Sequence, residues 1–335
     1  MLLSSRFLRQ SIPLCSTALK RSRPLLSLRF TTTTTTSTPT LPPPTTLAHE
    51  IITQSKDATP HTGSVVFLHG ILGSAQNLRS FARRVATAYP GTQCVLVDLR
   101  SHGDSPTFTD SPDRPATVKD CAHDVAQLLT HLRLAPTVLW GHSFGGKVVL
   151  SLLDDPTCRT CQSAWVIDSQ PGCVELKGQG LNKNPQSVEA ILEALASLQP
   201  PFASKEDLMA QIGDRGIAKP IQMWMTTNVK KDENNAFVWK FNMDVVQELF
   251  VNYCNTDMWS SLGSAAPTHV DLHLVRAMHN PFWQRPTTPR LLKTAVRNNA
   301  RLHVHDVDAG HWLHAEKPQE LFDVMDGSGL ATVLR

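Results

Sequence analysis

The stretch Thr137–Gly146, TVLWGHSFGG, joins a short apolar run to a serine that is flanked by glycines. The run is rich in β-branched and aromatic residues, as in a buried strand, and residues 147–153 have the apolar spacing of a helix. A GxSxG motif between a strand and a helix is the pattern of a nucleophile elbow, whose strained turn lifts the serine hydroxyl clear of the sheet. The pattern predicts that Ser143 is a nucleophile.

The chain on both sides of this motif alternates short apolar runs with helical patterns. Such alternation predicts an α/β fold, in which helices cover both faces of a mostly parallel sheet. The clearest predicted helix is Val118–Leu132, which follows a capping box at Thr117–Asp120. The predicted strands are Leu47–Ile52, Ser64–Leu68, Cys94–Asp98, Thr137–Trp140, Ala164–Ile167, Val270–Val275 and Leu302–Val307.

The alternation breaks once, between Ile167 and Val270, where roughly 100 residues stand in place of one helix and its loops. We expect a mainly helical insertion at about residues 172–267, with Ser204–Asp207 as a second capping box. Because the insertion begins just after a strand of the sheet ends, its helices should emerge beside the serine and act as a lid.

Large apolar side chains of the insertion are candidates for the wall of a substrate pocket. We expect Trp224 and Trp239 to line it together with Leu72 and Trp312. The alternative is that the aromatic residues of the insertion only form its own small core.

A serine hydroxyl needs a neighbouring base, and the base needs a carboxylate to hold its tautomer. His311 is the predicted base because it follows the last strand in a loop that can reach the carboxyl edge of the sheet, and His314 is the nearby alternative. Asp168 is the predicted acid because it ends the strand Ala164–Ile167 at that edge. The alternative acid, Asp271, lies too early, inside a later strand.

An acyl-transfer site also needs hydrogen-bond donors for the developing oxyanion. The backbone N–H of Phe144, which follows the nucleophile, is one predicted donor. The second should come from the loop after the strand Ser64–Leu68, which reads HGILG at residues 69–73. We nominate the N–H of Ile71, with that of Leu72 as the alternative.

The N-terminal segment differs in composition from the rest of the chain. Six of the 32 Lys and Arg residues precede the first acidic residue, Glu50, and a Thr run and a Pro run follow the cations. We therefore predict that residues 1–46 are a transit peptide and low-complexity linker, and that residues 47–335 form the folded domain. Mitochondria are the expected destination, with plastids as the alternative. A secretory signal is disfavoured because Arg6 and Arg9 interrupt its apolar block.

Composition excludes several other classes of protein. No stretch approaches the roughly 18 apolar residues of a membrane-spanning helix. Acidic residues slightly outnumber basic ones after Glu50, which gives no electrostatic case for nucleic acid or an anionic membrane. The seven cysteines include one CxxC, Cys158 and Cys161, with no second pair to complete a zinc site. We expect neither a metal nor an organic cofactor.

Five motifs carry a resemblance to a known family: HGILGS at 69–74, DLRSHGDS at 98–105, GHSFGGK at 141–147, VIDSQP at 166–171 and AGHWLHAEKP at 309–318. Together they resemble the α/β-hydrolase superfamily, in particular its branch of small bacterial acyl esterases and their mitochondrial relatives, the family of abhydrolase domain-containing protein 11. The segment at 225–244 is similar to the lid of that branch.

The resemblance implies a serine esterase or thioesterase that acts on a small or medium acyl group through an acyl-enzyme on Ser143. In this branch the acid follows the strand before the lid, which favours Asp168. The family usually has Ile where this chain has the polar Ser169, so the resemblance implies a pocket of different shape at this position. The expected partner is a small-molecule substrate. The alternatives are a non-catalytic ligand-binding module and a lyase-type enzyme on the same fold.

Overall fold

The described part of the computed structural model comprises residues 46–54, 61–108, 114–176 and 187–334. The predicted transit peptide and linker therefore lie, apart from Thr46, outside the described residues. The expected import into mitochondria or plastids stays a prediction.

Seven strands form one central sheet, in the spatial order β1-β3-β2-β4-β5-β8-β9. β1 is antiparallel to β3, and every other pair is parallel, so the predicted α/β fold with a mostly parallel sheet is confirmed. The strands are β1 (His49–Ile52), β2 (Gly63–Leu68), β3 (Thr92–Val97), β4 (Val138–His142), β5 (Ser163–Ile167), β6 (Val229–Lys231), β7 (Phe237–Trp239), β8 (Asp271–Ala277) and β9 (Leu302–Val307), with β6 and β7 in a separate hairpin.

Helices cover both faces of this sheet, and further helices lie in the insertion between β5 and β8. The α-helices of the described residues are α1 (Ala75–Ala88), α2 (Val118–His131), α3 (Phe144–Leu152), α4 (Val188–Ala196), α5 (Lys205–Gly213), α6 (Lys219–Met225), α7 (Met243–Asn255), α8 (Trp259–Leu262), α9 (Thr288–Asn298), α10 (Leu313–Glu316), α11 (Pro318–Met325) and α12 (Ala331–Leu334).

Alternate side chains of β2 show how the two layers are built. Val65 and Phe67 pack into a core with α1 and the C-terminal helices, whereas Val66 and Leu68 pack with α2, α3 and the insertion. Because successive side chains point to opposite faces, a strand buried on both sides reads as a continuous apolar run.

The predicted capping box at Thr117 is present, and both of its hydrogen bonds form at the start of α2.

The insertion between β5 and β8 contains α4 to α8 and also the hairpin of β6 and β7. The hairpin departs from the mainly helical expectation. Its strands have three residues each, too few for a period of two to stand out, and the polar turn between them, DENN at 232–235, was the only signal. Ser204 caps α5 as predicted, since its hydroxyl accepts the N–H of Asp207.

The CxxC cysteines lie in a buried turn before β5. Burial raises the pKa of Cys158 to about 11 and that of Cys161 to about 12, because a thiolate is poorly solvated there. The thiolate is the form that reacts and binds metal, so packing is sufficient to explain both residues. Among the described residues, no cluster of His, Cys, Asp and Glu has the arrangement of a metal site.

Candidate active site

The serine of the GxSxG motif lies in the sharp turn between β4 and α3. Ser143 has φ of 52° and ψ of −115°, a conformation that costs a non-glycine residue about 1–3 kcal/mol. A Cβ atom at position 141 would lie 2.2 Å from the carbonyl oxygen of Gly145, and one at 145 would lie 2.5 Å from that of Leu68. Glycine is therefore required at both positions. The turn is held to the sheet by the N–H of Ser143, which donates to Ile167 O at 2.8 Å.

Three predicted side chains meet at the carboxyl edge of the sheet. Nε2 of His311 lies 3.0 Å from Oγ of Ser143, and Nδ1 of the same ring lies 2.7 Å from Oδ2 of Asp168. A carboxylate can only accept a hydrogen bond, so Nδ1 carries the proton and Nε2 is left as the acceptor for the serine hydroxyl. The arrangement can accept a proton from Ser143 while Asp168 faces the imidazolium that results.

The carboxylate of Asp168 is fully buried and has four hydrogen-bond donors. Besides His311, the donors are Ala277 N at 2.9 Å, Asn280 Nδ2 at 2.8 Å and Trp283 Nε1 at 2.6 Å. Sequence reasoning missed Asn280 and Trp283, because it searched this stretch only for a carboxylate. The available signal was topological, since β8 is parallel to β5 and its end therefore emerges beside Asp168.

The two alternative residues, Asp271 and His314, lie outside this hydrogen-bonded series. Asp271 begins β8, at the opposite edge of the sheet from Ser143, and pairs with Arg301 at the surface. His314 is buried against the rings of His142 and Trp140, and its Nδ1 has no hydrogen-bond partner in the described part of the chain. The structure brings neither of them to the serine hydroxyl.

Two buried histidines fix the loop that follows β2. His102 Nε2 accepts the N–H of Leu72 at 3.2 Å, and His69 Nε2 accepts the N–H of Leu99 at 2.9 Å. The Leu72 amide is therefore already occupied, whereas the Ile71 amide has no acceptor among the described residues. Of the two nominated loop donors, the geometry leaves Ile71 free for an oxyanion.

Burial keeps five histidines neutral at neutral pH. Desolvation lowers the pKa of His69 and His314 to about 4, that of His102 and His273 to about 3, and that of His142 well below its ordinary value. Three of the five, His69, His142 and His314, line the cleft at Ser143. The cluster therefore adds hydrogen bonds and bulk around His311 without adding positive charge.

These neutral histidines predict a steep loss of stability in acid. Below pH 6.5 the unfolded chain takes up protons that the folded chain excludes, so stability is complete above that pH and falls as the pH drops towards 4. The lowered pKa values all act in the same direction, so their contributions to the loss of stability reinforce one another. Urea unfolding between pH 7.5 and 4.5 measures this slope.

A substitution remote from the serine isolates one histidine. His273→Gln should flatten the acid slope, since one of the buried histidines with a lowered pKa no longer titrates. Equal stability of the unaltered chain at pH 7 and pH 5 would show that the histidines are not held neutral.

Two cavities meet at Ser143. A narrow cleft is lined by Leu72, Trp224 and Trp312, and the rings of the two tryptophans lie 5.6 Å apart. A larger cavity of about 450 Å³ also reaches His311 and is walled by aromatic and apolar side chains, with charged residues at its rim. Its aromatic residues include Phe144, Phe250, Tyr253 and Phe282.

Trp239 does not line either cavity, contrary to the expectation. Its ring stacks on Phe241 at 4.9 Å and meets Phe202 edge-on at 5.0 Å. The reason is its place in β7, because this strand pairs with β6 and bridges to Phe202, so that the Trp239 ring packs on side chains of the insertion itself. Trp239 therefore belongs to a small core within the insertion, which was the alternative expectation.

A buried lysine joins the insertion to the helix that follows the nucleophile. Lys147 on α3 is fully buried, and its ammonium donates to Tyr253 O and Thr256 O at 2.6 Å and to Gly172 O at 3.1 Å. It also lies 4.1 Å from the centre of the Tyr253 ring. Burial lowers the pKa of Lys147 to about 8. Sequence reasoning overlooked this residue, whose only signal was a cation in an apolar helix.

The fold and this constellation define a class of α/β enzyme with a serine at a nucleophile elbow. A profile described as the alpha/beta hydrolase family matches residues 65–324, and the chain belongs to that family. No helix in the described ranges is long and apolar enough to cross a membrane.

Known proteins with similar sequences include enzymes of two reaction types. A Mus musculus protein named sn-1-specific diacylglycerol lipase ABHD11 is 26% identical over 270 residues, which cover 78% of this chain and 79% of the relative. A Saccharomyces cerevisiae protein named "Probable alcohol acetyltransferase" is 23% identical over 301 residues, with 83% and 81% covered. A solved structure titled "Marine microorganism esterase" shares the fold, with a TM-score of 0.68, 21% identity, and coverage of 84% of this chain and 98% of that chain.

Proposed function

We propose that this protein is a serine hydrolase that cleaves a carboxylic ester or thioester through an acyl-enzyme on Ser143. The observation that carries the proposal is the hydrogen-bonded series from Ser143 through His311 to Asp168, with separations of 3.0 Å and 2.7 Å. Relatives named lipase support ester chemistry, and the family supports hydrolysis on this fold.

Acylation begins when Ser143 Oγ attacks the carbonyl carbon of the substrate. His311 Nε2 takes the hydroxyl proton, and the negative charge moves to the carbonyl oxygen, which the N–H groups of Ile71 and Phe144 would bind. Asp168 accepts from the protonated ring and stabilises it. His311 then returns the proton to the leaving alcohol or thiol as the bond between carbonyl carbon and leaving group breaks.

Deacylation repeats these steps with a new nucleophile. Water gives its proton to His311 and attacks the acyl carbonyl, and collapse of the second tetrahedral intermediate releases the acid and restores the Ser143 hydroxyl. An alcohol in place of water would give a new ester, the reaction in the name of the yeast relative. Both outcomes use the same acyl-enzyme.

A fluorophosphonate probe tests the nucleophile directly, because attack on phosphorus displaces fluoride and leaves a stable bond to the serine. We expect the unaltered protein to be labelled, Ser143→Ala to remain unlabelled, and Ser151→Ala, a change on the same helix, to be labelled normally. No labelling of the folded, unaltered protein would favour a ligand-binding module. Labelling without acid release from p-nitrophenyl esters would favour transfer to an alcohol or a lyase-type reaction.

We also propose that the insertion acts as a lid that sets acyl selectivity, because Trp224 borders the cleft beside Ser143. Trp224→Leu should change kcat/KM differently for acyl chains of about two and eight carbons, since each methylene in an apolar pocket is worth about 1–3 kcal/mol. Trp239→Leu is the matched control, since it lowers stability without touching either cavity. The same chain-length profile in both variants would mean that Trp224 only packs.

A further inference from the structure

One segment of the folded chain is strongly basic although the folded chain as a whole is not. Residues 272–305 contain six Lys and Arg residues and no Asp or Glu. Two of the six form surface ion pairs, Arg276 with Asp306 and Arg301 with Asp271. The others are exposed, and none of them forms an ion pair with another residue in the described ranges.

Three of these unpaired cations form a stripe along α9, which we call the basic face: Arg290, Lys293 and Arg297. At about 100° per residue, their side chains fall within about 60° of one another around the helix axis. The buried Leu292 and Ala295 lie on the opposite side. The average charge of the chain conceals this surface, which is why composition gave no sign of it.

The effect of the basic face on its own helix is mixed, because Arg297 lies in the last turn, where the helix dipole favours a cation, whereas the other positions are unfavourable. Arg290 lies in the first turn, where the helix dipole disfavours a cation, and that turn has no acidic residue. Lys293 and Arg297 are four residues apart, a spacing at which like charges repel. Because the three cations form no ion pair among the described residues, an external anionic surface is the partner that their charges fit.

We propose that the basic face docks the protein on the surface of an anionic lipid bilayer. Two observations favour a bilayer over an acidic protein. Val296 beside the face is 41% exposed, so an apolar side chain can enter the headgroup region next to the cations. Arg285, three residues before α9, is one of the residues that line the 450 Å³ cavity, together with Glu175, Glu189 and Glu316, so α9 begins beside this cavity. Docking through α9 would bring the cavity close to a surface where apolar esters concentrate.

Cosedimentation with vesicles tests the proposal without any ester, so failure of the proposed hydrolase activity would not change its result. Every protein is full-length and has Gln at the six cations before Glu50, which removes their attraction to lipid. The test variant is R290Q/K293Q/R297Q. The control, R83Q/K119Q/R159Q, removes three exposed cations from other surfaces. The vesicles contain phosphatidylcholine alone or with phosphatidylglycerol.

We expect binding only to the anionic vesicles, with loss of binding as salt shortens the screening length from about 10 Å to about 3 Å. The test variant should bind about a hundredfold more weakly, because each cation near such a surface contributes roughly a factor of five. The control should bind normally. Equal binding by the two variants would overturn the proposal. So would absence of binding by the parent protein, which would direct the search to an acidic protein.

Discussion

Ser143→Ala should lower kcat/KM for a short p-nitrophenyl ester by roughly 10⁴- to 10⁶-fold and leave the fold intact. The loss is this large because the substitution removes the atom that forms the covalent bond in the proposed mechanism, and the remaining groups can only orient water. The methyl group of alanine fits the turn, since a Cβ is already present at this position. Stopped-flow or prolonged steady-state hydrolysis measures the rate, and thermal unfolding confirms the fold.

A second substitution shows whether the residues act as one unit. His311→Ala alone, and combined with Ser143→Ala, should cost about as much as Ser143→Ala alone, because neither residue acts without the other. Ser151→Ala serves as the control for a change in the same helix. A near-normal rate in Ser143→Ala would end the assignment of the nucleophile, and a double variant far slower than either single one would separate their roles.

Much of the fold could be predicted because its determinants are local and periodic. The central strands of the sheet are buried on both faces and therefore read as short apolar runs, as in β2 and β4. The capping box at Thr117 and the elbow at Ser143 depend on residues a few positions apart. Chain order then places the ends of parallel strands at one edge, which is how the positions of Asp168 and His311 were foreseen.

The remainder could not be predicted because it depends on which distant segments pack together. Trp239 and Trp224 are both large apolar residues of the insertion, so the sequence alone does not distinguish them. Only the pairing of β7 with β6 places Trp239 away from the cavities. The bond between His102 and Leu72 joins residues 30 apart, and it decides which amide of the loop stays free. The lysine on α3 binds carbonyls about a hundred residues along the chain. No pattern of local spacing reports such contacts.

Asp168→Asn should lower kcat by roughly 10⁴-fold, since the amide can donate to His311 Nδ1 and stabilise the tautomer in which Nε2 carries the proton and cannot act as a base. Asp271→Asn should keep nearly the full rate, because it weakens only surface contacts with Arg301 and His303. Steady-state kinetics on the same ester compares them. The reverse ranking would move the acid to the later strand.

The donors around Asp168 predict that its loss also destabilises the protein. The carboxylate accepts four hydrogen bonds, and the NH₂ group of an Asn side chain would face at least one donor without an acceptor, a cost of about 1–3 kcal/mol.

Trp283→Phe keeps an aromatic ring at this position but removes the indole N–H donor. It should therefore lower kcat far less than Asp168→Asn does, while the pH profile keeps its shape. If Trp283→Phe were as slow as Asp168→Asn, the indole would be positioning the carboxylate and not merely solvating it. The comparison therefore separates the charge that His311 requires from the hydrogen bonds that hold that charge in place.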